Sequence, residues 1–210
     1  MLLEHNLEKF YNAIEEAVEK RYPKNHIPTL ALSSGTDSGV IAAALHSLKK
    51  DFRIIIFEGL EDRDVLDQRI QFLGKEVTFI DKMDQWEIAE LQDQMVHAGF
   101  KKGKETGIGI ATPHFALAKT ENCSKILYSG LGTDELYTND KKLLASFLFY
   151  ANQANCYYNV SLLLPLLDPK LFNIWGCFSP EIALEYKKPF RMYMQSKGFP
   201  YTLDKINFNI

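Results

Sequence analysis

Small polar residues and one carboxylate separate an apolar segment from an amphipathic one near the start of the chain. Thr29 to Leu32 predicts a short buried strand, and a helix is predicted to begin near Asp37. Backbone amides at the start of a helix lie at the positive end of its dipole and bind phosphate. Asp37 would repel a phosphate unless a cation lay between them. The segment therefore suggests phosphate bound together with Mg²⁺.

An ordinary structural turn is the alternative for this segment. Any strand-to-helix connection favours small polar residues, and Asp37 or Ser38 could simply cap the helix. Neither G-x-x-x-x-G-K-[ST] nor G-x-G-x-x-G occurs at this position. On the phosphate interpretation, four hydroxyl groups add donors to the turn. They belong to Ser33, Ser34, Thr36 and Ser38.

A second segment has the same arrangement. Lys125 to Ser129 predicts a strand, which leads directly into Gly130-Leu-Gly-Thr-Asp134-Glu135. The carboxyl ends of parallel strands meet at one edge of a sheet, where ligands bind at the topological switch point. We therefore expect Asp37 and Asp134 to face each other and to hold Mg²⁺ with a pyrophosphate. The alternative is that Asp134 and Glu135 only cap a helix.

Predicted helices and strands alternate through the first two thirds of the chain. This alternation predicts an α/β fold with a doubly wound, open parallel sheet and right-handed crossovers. We expect one domain over residues 1–210, with an N-terminal helix (1–27), an α/β core (28–140) and a mostly helical C-terminal part (141–210) that completes the site. The predicted helices are 3–21, 62–73 and 86–96, and the further strands are 53–57 and 76–80.

Two segments between the third strand and the second polar segment are distinctive. Thr112-Pro113 predicts a helix start, with Thr112 as the cap and Pro113 as the first residue. Gly99 to Gly109 is polar and rich in glycine and lysine, so it is either a mobile loop or a solvated turn.

Composition narrows the function classes. The net charge of −3 over 210 residues argues against non-specific nucleic-acid binding, which usually needs a basic chain. No apolar run approaches the ~20 residues of a membrane span. The cysteines, Cys123, Cys156 and Cys177, are far apart in the sequence, which argues against a zinc site or a disulfide framework. We therefore expect a cytoplasmic protein with no membrane partner.

The two polar segments resemble known motifs. Ser33 to Ser38 resembles the S-G-G-x-D-S loop of the N-type ATP pyrophosphatases, the PP-loop superfamily, with Ser34 at the usual first glycine. Ser129 to Tyr137 resembles the S-G-E-G-[SA]-D-E-[LV]-F motif of asparagine synthetases and β-lactam synthetases. Four shorter matches follow the family order: Phe57-Glu58-Gly59, Thr112-Pro113, Pro165-Leu-Leu-Asp168 (P-F-L-D) and the K-x-x-L-R segment at Lys187 and Arg191.

The resemblance implies an adenine nucleotide α-hydrolase-like fold and an AMP-forming ligase. ATP would adenylate a small carboxylate, and ammonia or an amine would then form an amide. The implied catalytic residues are Lys187, Asp134 and Asp37, of which Asp37 and Asp134 would hold Mg²⁺. The implied ATP-binding residues are Leu32, Ser33, Ser34, Gly35, Thr36, Asp37, Ser38, Phe57, Gly130, Gly132 and Lys187.

The sequence also departs from the family. Leu2 follows Met1 where the family's glutaminase domain begins with a catalytic cysteine, so we expect ammonia, an amine or a separate glutaminase protein as nitrogen source. Leu131 replaces the glutamate implicated in handling the nucleophile, so transfer would need another base, Glu135 or Tyr137, or an amine that is already neutral. Two alternatives stay open: adenylation of a tRNA base or small heterocycle, and nucleotide binding without catalysis.

Overall fold

Five parallel strands form one open sheet in the computed structural model, which describes residues 2–58, 62–100, 108–137, 141–183 and 187–201. The strand order is β3-β2-β1-β4-β5. This sheet confirms the predicted α/β class and the parallel arrangement. The strands are β1 (Thr29–Ala31), β2 (Arg53–Phe57), β3 (Val77–Ile80), β4 (Ile126–Tyr128) and β5 (Ser161–Leu163).

Apolar residues on both faces of the sheet explain the continuous apolar strand sequences. Ile54 and Ile56 pack into one buried cluster, whereas Ile55 between them packs into another. Successive side chains of a strand point to opposite faces, so β2 is covered on both sides. Helices therefore cover both faces of the sheet, as a doubly wound arrangement requires.

The helices follow the predicted alternation, with ends that differ by a few residues. Within the described ranges, no helix is long and apolar enough to cross a membrane. The helices are α1 (Leu2–Lys20), α2 (Thr36–Ser47), α3 (Arg63–Leu73), α4 (Gln85–His97), α5 (Ile108–Lys119), α6 (Thr133–Tyr137), α7 (Lys141–Tyr157), α8 (Pro169–Trp175), α9 (Pro180–Ala183) and α10 (Lys188–Ser196), with a 3₁₀ turn at Pro165–Leu167.

Aromatic residues from distant parts of the chain connect the N-terminal and C-terminal helices. The Phe10 ring centroid of α1 lies 5.2 Å from that of Phe190 in α10 and 5.8 Å from that of Trp175 in α8. Tyr137, which ends α6, contacts the same group, 4.5 Å from Trp175 between ring centroids. These contacts bring α6 and α10 onto one side of the sheet, with α1 and α8.

The predicted helix start at Thr112-Pro113 is wrong. Helix α5 begins at Ile108, so Pro113 lies inside it, and the buried hydroxyl of Thr112 donates to Met95 Sδ at 3.7 Å instead of capping. Proline removes a helix hydrogen bond. Burial of Ala111 and Phe115 in one cluster with Met95 compensates for this cost, and local sequence preference does not include that contribution.

The C-terminal part contains a strand that the sequence did not predict. Residues 141–183 and 187–201 are mostly helical as expected, but Ser161–Leu163 forms β5 and pairs in parallel with β4. Three residues are too few for a recognisable alternating pattern. The partner strand, whose Ile126 is opposite Ser161, determines the extended conformation.

We predict that Gly74→Ala lowers the free energy of unfolding by about 1 kcal/mol, because Gly74 ends α3 in the left-handed conformation (φ 57°). No atom lies within 4 Å of the position of an added Cβ, so the cost would come from the backbone alone. Urea denaturation measures the change.

Gly176→Ala is the matched control. Gly176 ends α8 with right-handed φ −61°, and an added Cβ would make only an ordinary contact at 3.5 Å. We expect this variant to be as stable as the parent or slightly more stable. An equal loss in both variants would contradict the conformational explanation.

Candidate functional site

The strand order places the two polar segments side by side. The chain passes from β1 through β2 to β3 on one side of the sheet and returns at β4, on the other side of β1. The point between β1 and β4 is therefore the topological switch point. Because both strands run in the same direction, the segments that follow Ala31 and Tyr128 leave the sheet at the same edge.

Gly130 allows these two segments to touch. A Cβ added to Gly130 would lie 2.5 Å from Asp37 Cβ and 3.0 Å from the amide nitrogen of Ser38. Any larger residue would push the segments apart. Gly132 has a different constraint, because its φ of 82° is a left-handed conformation that favours glycine. Gly130 and Gly132, two of the three glycines that the sequence placed in the site, are thus required by the local geometry.

The hydroxyl groups of the first turn mainly hold the turn together. Ser33 Oγ and Ser38 Oγ are 2.8 Å apart, and Ser38 Oγ also accepts the Ser33 amide at 3.0 Å. Ser34 is buried, and its Oγ accepts the Asp62 amide at 3.1 Å, which joins the turn to the start of α3. Backbone amides are therefore better candidates than hydroxyls as phosphate donors.

The start of α2 does not match the capping alternative. The N-cap residue is Gly35, which has no side-chain capping bond, and Thr36 is the first helical residue. Asp37 and Ser38 lie inside the first turn. The Asp37 carboxylate does not cap the helix but accepts a hydrogen bond from the ammonium group of Lys187. The first amides of a helix have no carbonyl partner four residues earlier within it, so phosphate binding at this turn stays a prediction.

Lys187 brings the two carboxylates together. Its Nζ lies 2.7 Å and 2.6 Å from the two carboxylate oxygens of Asp37, and 2.7 Å from Asp134 Oδ1. These three side chains come from the ends of two strands and from the residue before α10. The structure thus brings together the three residues predicted to be catalytic.

The backbone of Lys187 is unusual. It caps α10 in the left-handed conformation, with φ 55° and ψ 44°, which costs a residue with a Cβ about 1–2 kcal/mol. Its carbonyl accepts the amides of Phe190 and Arg191, so the following helix holds it in place. Strain of this kind is characteristic of functional positions.

Burial and the Lys187–carboxylate attraction have opposing effects on the pKa values of this cluster. Burial raises the pKa of Asp37, and Asp134 adds to the increase, while Lys187 opposes it. Burial alone would lower the pKa of Lys187, but Asp37 and Asp134 outweigh burial, so its net pKa lies above the usual value. The ammonium therefore stays protonated at neutral pH and separates two carboxylates that repel each other.

The donor set suits a metal ion that is shared with a bound phosphate. Among the described residues, no three His, Cys, Asp or Glu side chains are close enough to hold a metal ion by themselves. Mg²⁺ commonly uses one or two protein carboxylates together with substrate phosphates. Asp37 and Asp134 already converge on one cation, and so fit this second type of site.

The other predicted residues differ in their exposure. Leu32 is buried, and its amide donates to the Ile55 carbonyl at 2.9 Å, so only its backbone could contact a nucleotide. Phe57 is half-buried at the end of β2. Three predicted features, Gly59, Tyr186 and residues 101–107 of the lysine-rich segment, lie outside the described residues.

The two candidate bases differ in their suitability. Tyr137 Oη donates to the Leu166 carbonyl at 2.9 Å, and burial raises the pKa of Tyr137, so it is unsuited to accept a proton. Glu135 is partly buried, and burial followed by the charge of Asp134 raises its pKa. A carboxylate with a raised pKa accepts protons more readily near neutral pH, which favours Glu135.

Sequence reasoning missed Arg69, a fully buried residue whose guanidinium donates to the carbonyls of Ser33 and Gly35. Its position in the sequence gave a signal. Arg69 follows Leu66 by three residues and precedes Leu73 by four, which is the spacing of the buried face of a helix. A charged residue at such a position must find partners inside the protein.

No family model matches the chain, and the comparison with curated proteins returned no match.

We predict that Gly130→Ala lowers the free energy of unfolding by about 1–3 kcal/mol, because the added Cβ would overlap with Asp37. The same change should separate Asp37 from Asp134. Urea denaturation measures the first effect. As a control, Gly35→Ala places its Cβ 3.2 Å from the Ser33 hydroxyl, a less severe contact, and should cost less. Equal stability of Gly130→Ala and the parent would contradict the close approach.

We predict that Lys187→Met destabilises the fold by about 2 kcal/mol at neutral pH, between the values for exposed and buried ion pairs. Without the ammonium, the folded-state pKa of Asp37 rises further. A carboxyl whose pKa is higher in the folded state than in the unfolded state lowers the free energy of unfolding at high pH. This effect disappears as the pH falls below the pKa of the unfolded state, near 3.8. The loss should therefore shrink towards acid pH.

Urea denaturation between about pH 3 and about pH 8 tests this prediction, because the carboxyl groups pass from protonated to ionised over that range. The double variant Asp37→Asn/Lys187→Met removes one of the two repelling charges and should recover part of the stability. A loss independent of pH, or no recovery in the double variant, would show that the cluster is not electrostatically coupled.

Proposed function

We propose that the chain is an ATP-dependent, AMP-forming ligase similar to asparagine synthetases and β-lactam synthetases, with the adenine nucleotide α-hydrolase-like form of its parallel α/β fold. The observation that carries the proposal is the convergence of three side chains at the switch point. Carboxylate oxygens of Asp37 and Asp134 lie within 2.7 Å of the ammonium nitrogen of Lys187. Neither polar segment predicts this by itself, and the family resemblance associates all three residues with one reaction.

The reaction would begin with activation of a small carboxylate. A carboxylate oxygen attacks the α-phosphorus of ATP, the bond between that phosphorus and the bridging oxygen breaks, and pyrophosphate leaves with the electron pair. Ammonia or an amine then attacks the acyl carbon, loses a proton to a base and expels AMP. Free ammonia or an amine comes from solution, or ammonia comes from a separate glutaminase protein.

The residues have distinct roles in this scheme. Amides at the start of α2 would bind the departing pyrophosphate, with Ser33 and Ser38 holding the turn in shape. Mg²⁺ would neutralise phosphate charge, held by Asp37 and Asp134. Lys187 would move from the carboxylates towards the phosphates as negative charge develops on pyrophosphate.

The transfer step depends on a base other than residue 131. Leucine at this position cannot accept a proton, and general-base assistance is typically worth 10²–10⁴-fold. Glu135 is the better of the two candidates, because Tyr137 is committed to a backbone carbonyl. A neutral amine nucleophile would reduce the need for any base.

A nucleotide-binding protein without catalysis is the second candidate. The specific observation in its favour is Leu131, whose amide donates to Ser129 Oγ at 3.2 Å within a well-formed turn that carries no glutamate. Such a protein would bind Mg·ATP with the same residues but would release neither pyrophosphate nor AMP.

We predict ATP–pyrophosphate exchange when the correct carboxylic acid is supplied, with AMP as the released nucleotide. Asp134→Asn should reduce exchange by about 10²-fold, because a pre-positioned charge is lost. Radiolabelled pyrophosphate exchange, screened over small carboxylic acids, measures the reaction, and calorimetry measures Mg·ATP binding.

Asp51→Asn is the matched control, since Asp51 pairs with Lys75 at 2.7 Å and its side chain is 64% exposed. Its exchange rate should equal that of the parent. Release of ADP would exclude the proposed reaction. Binding of Mg·ATP without exchange for any acid would favour the non-catalytic candidate.

A further inference from the structure

A buried arginine contacts the phosphate-binding turn from inside the protein. Arg69 in α3 has no exposed surface, and its Nη1 donates to the carbonyl oxygens of Ser33 and Gly35, the latter at 2.8 Å. Its Nε donates to the Pro200 carbonyl at 3.0 Å. One side chain therefore holds two peptide groups of the turn and attaches them to the C-terminal segment.

Because the peptide group is planar, these contacts also orient the N–H groups of the turn. In a trans peptide, the carbonyl and the following N–H lie in one plane and point in opposite directions. The Ser33 and Gly35 carbonyls point at the guanidinium, so the N–H groups of Ser34 and Thr36 point away from it. Arg69 thereby helps to set the direction of two amides in the turn that we propose binds phosphate, together with the Ser38 hydroxyl and the Gly39 amide that donate to the same carbonyls.

The surroundings accommodate this guanidinium closely. A Cβ added to Gly39 would lie 2.8 Å from Arg69 Nη2 and 2.8 Å from Met194 Sδ. Glycine inside a helix costs about 1 kcal/mol relative to alanine. The Phe199 ring adds a cation–π contact, with its centroid 5.6 Å from Arg69 Cζ. Gly39 and Phe199 thus shape a cavity for this one side chain.

The charge of Arg69 has a consequence of its own. A guanidinium remains protonated at physiological pH, and Coulomb interactions are stronger in the protein interior than in water. The positive charge on the inner side of the turn favours a negative group on its outer side. Arg69 would therefore attract an anion without touching it.

We infer that Arg69 is a positioning residue that preforms the turn at residues 33–38 as a pyrophosphate-binding site. It orients the amides through the Ser33 and Gly35 carbonyls, and its charge strengthens anion binding across the turn. The inference rests on the proposed function, because it assigns pyrophosphate and the polyphosphate of ATP as the anions bound there.

Calorimetry with inorganic pyrophosphate and with Mg·ATP tests the inference. Arg69→Met should weaken both affinities by about 10-fold or more, because the support of the amides and a buried positive charge beside the turn are both lost. Arg69→Lys keeps the charge but not the planar fork, so its loss should be smaller. Arg53→Met, at the exposed amino end of β2, should bind both ligands as the parent does.

A purely structural role would have a different signature. It would lower the melting temperature and weaken pyrophosphate and adenosine binding alike, whereas the positioning role predicts a selective loss for pyrophosphate. If Arg69→Met does not fold, Gly39→Ala serves as the second variant, because it displaces the guanidinium without deleting it.

The outcomes separate this inference from the proposed function. Folded Arg69 variants that bind pyrophosphate as tightly as the parent would overturn it, as would a parent protein that binds neither pyrophosphate nor Mg·ATP. A parent that binds pyrophosphate selectively through Arg69, yet supports no exchange with any acid, would support the inference and refute the ligase activity.

Discussion

The shared ion pair of Lys187 with Asp37 and Asp134 is the interaction on which the rest of the site depends. It connects Lys187 with Asp37, which lies 150 positions earlier in the chain. Two carboxylates at such short range repel each other, so the ammonium stabilises both the site and the contact between the two loops. The parallel sheet makes the cluster possible, because it brings the ends of β1 and β4 to one edge.

The turn after β1 is held by two cations that act on different atoms. Arg69 binds the backbone carbonyls of Ser33 and Gly35, whereas Lys187 binds the Asp37 side chain. Arg69 is fully buried, so its guanidinium keeps its protein partners. Lys187 is partly exposed, with 19% of its side-chain surface accessible. This difference suits a permanent support on one side and, in the proposed scheme, an exchangeable partner for phosphate on the other.

Glycine positions show how closely the site is packed. Gly130 allows the two loops to touch, and Gly39 leaves space for Arg69. Neither residue has a side chain that could contact a ligand. Their substitution would nevertheless disturb the site, since each would place a Cβ within 3 Å of a group that the scheme uses. The backbone of the loops is therefore as important as the side chains.

Several features of the protein could be predicted from its sequence because they depend on local patterns. The alternation of predicted strands and helices, such as the strand at 53–57 and the helix at 62–73, indicated a parallel sheet. The similar turns before Asp37 and Asp134 then indicated one shared site. Resemblance to a known motif, not spacing, singled out Lys187, and the structure places it between both carboxylates.

Other features were decided by tertiary contacts. Strand β5 forms only because β4 is beside it. Helix α5 begins before Pro113 because Ala111 and Phe115 are buried against α4. The serine hydroxyls bind protein groups that lie close only after folding, such as Asp62 for Ser34. Periodicity places Arg69 on the buried face of α3, but it does not identify which carbonyls its guanidinium will reach. Those partners are far away in the sequence, so only the folded chain determines them.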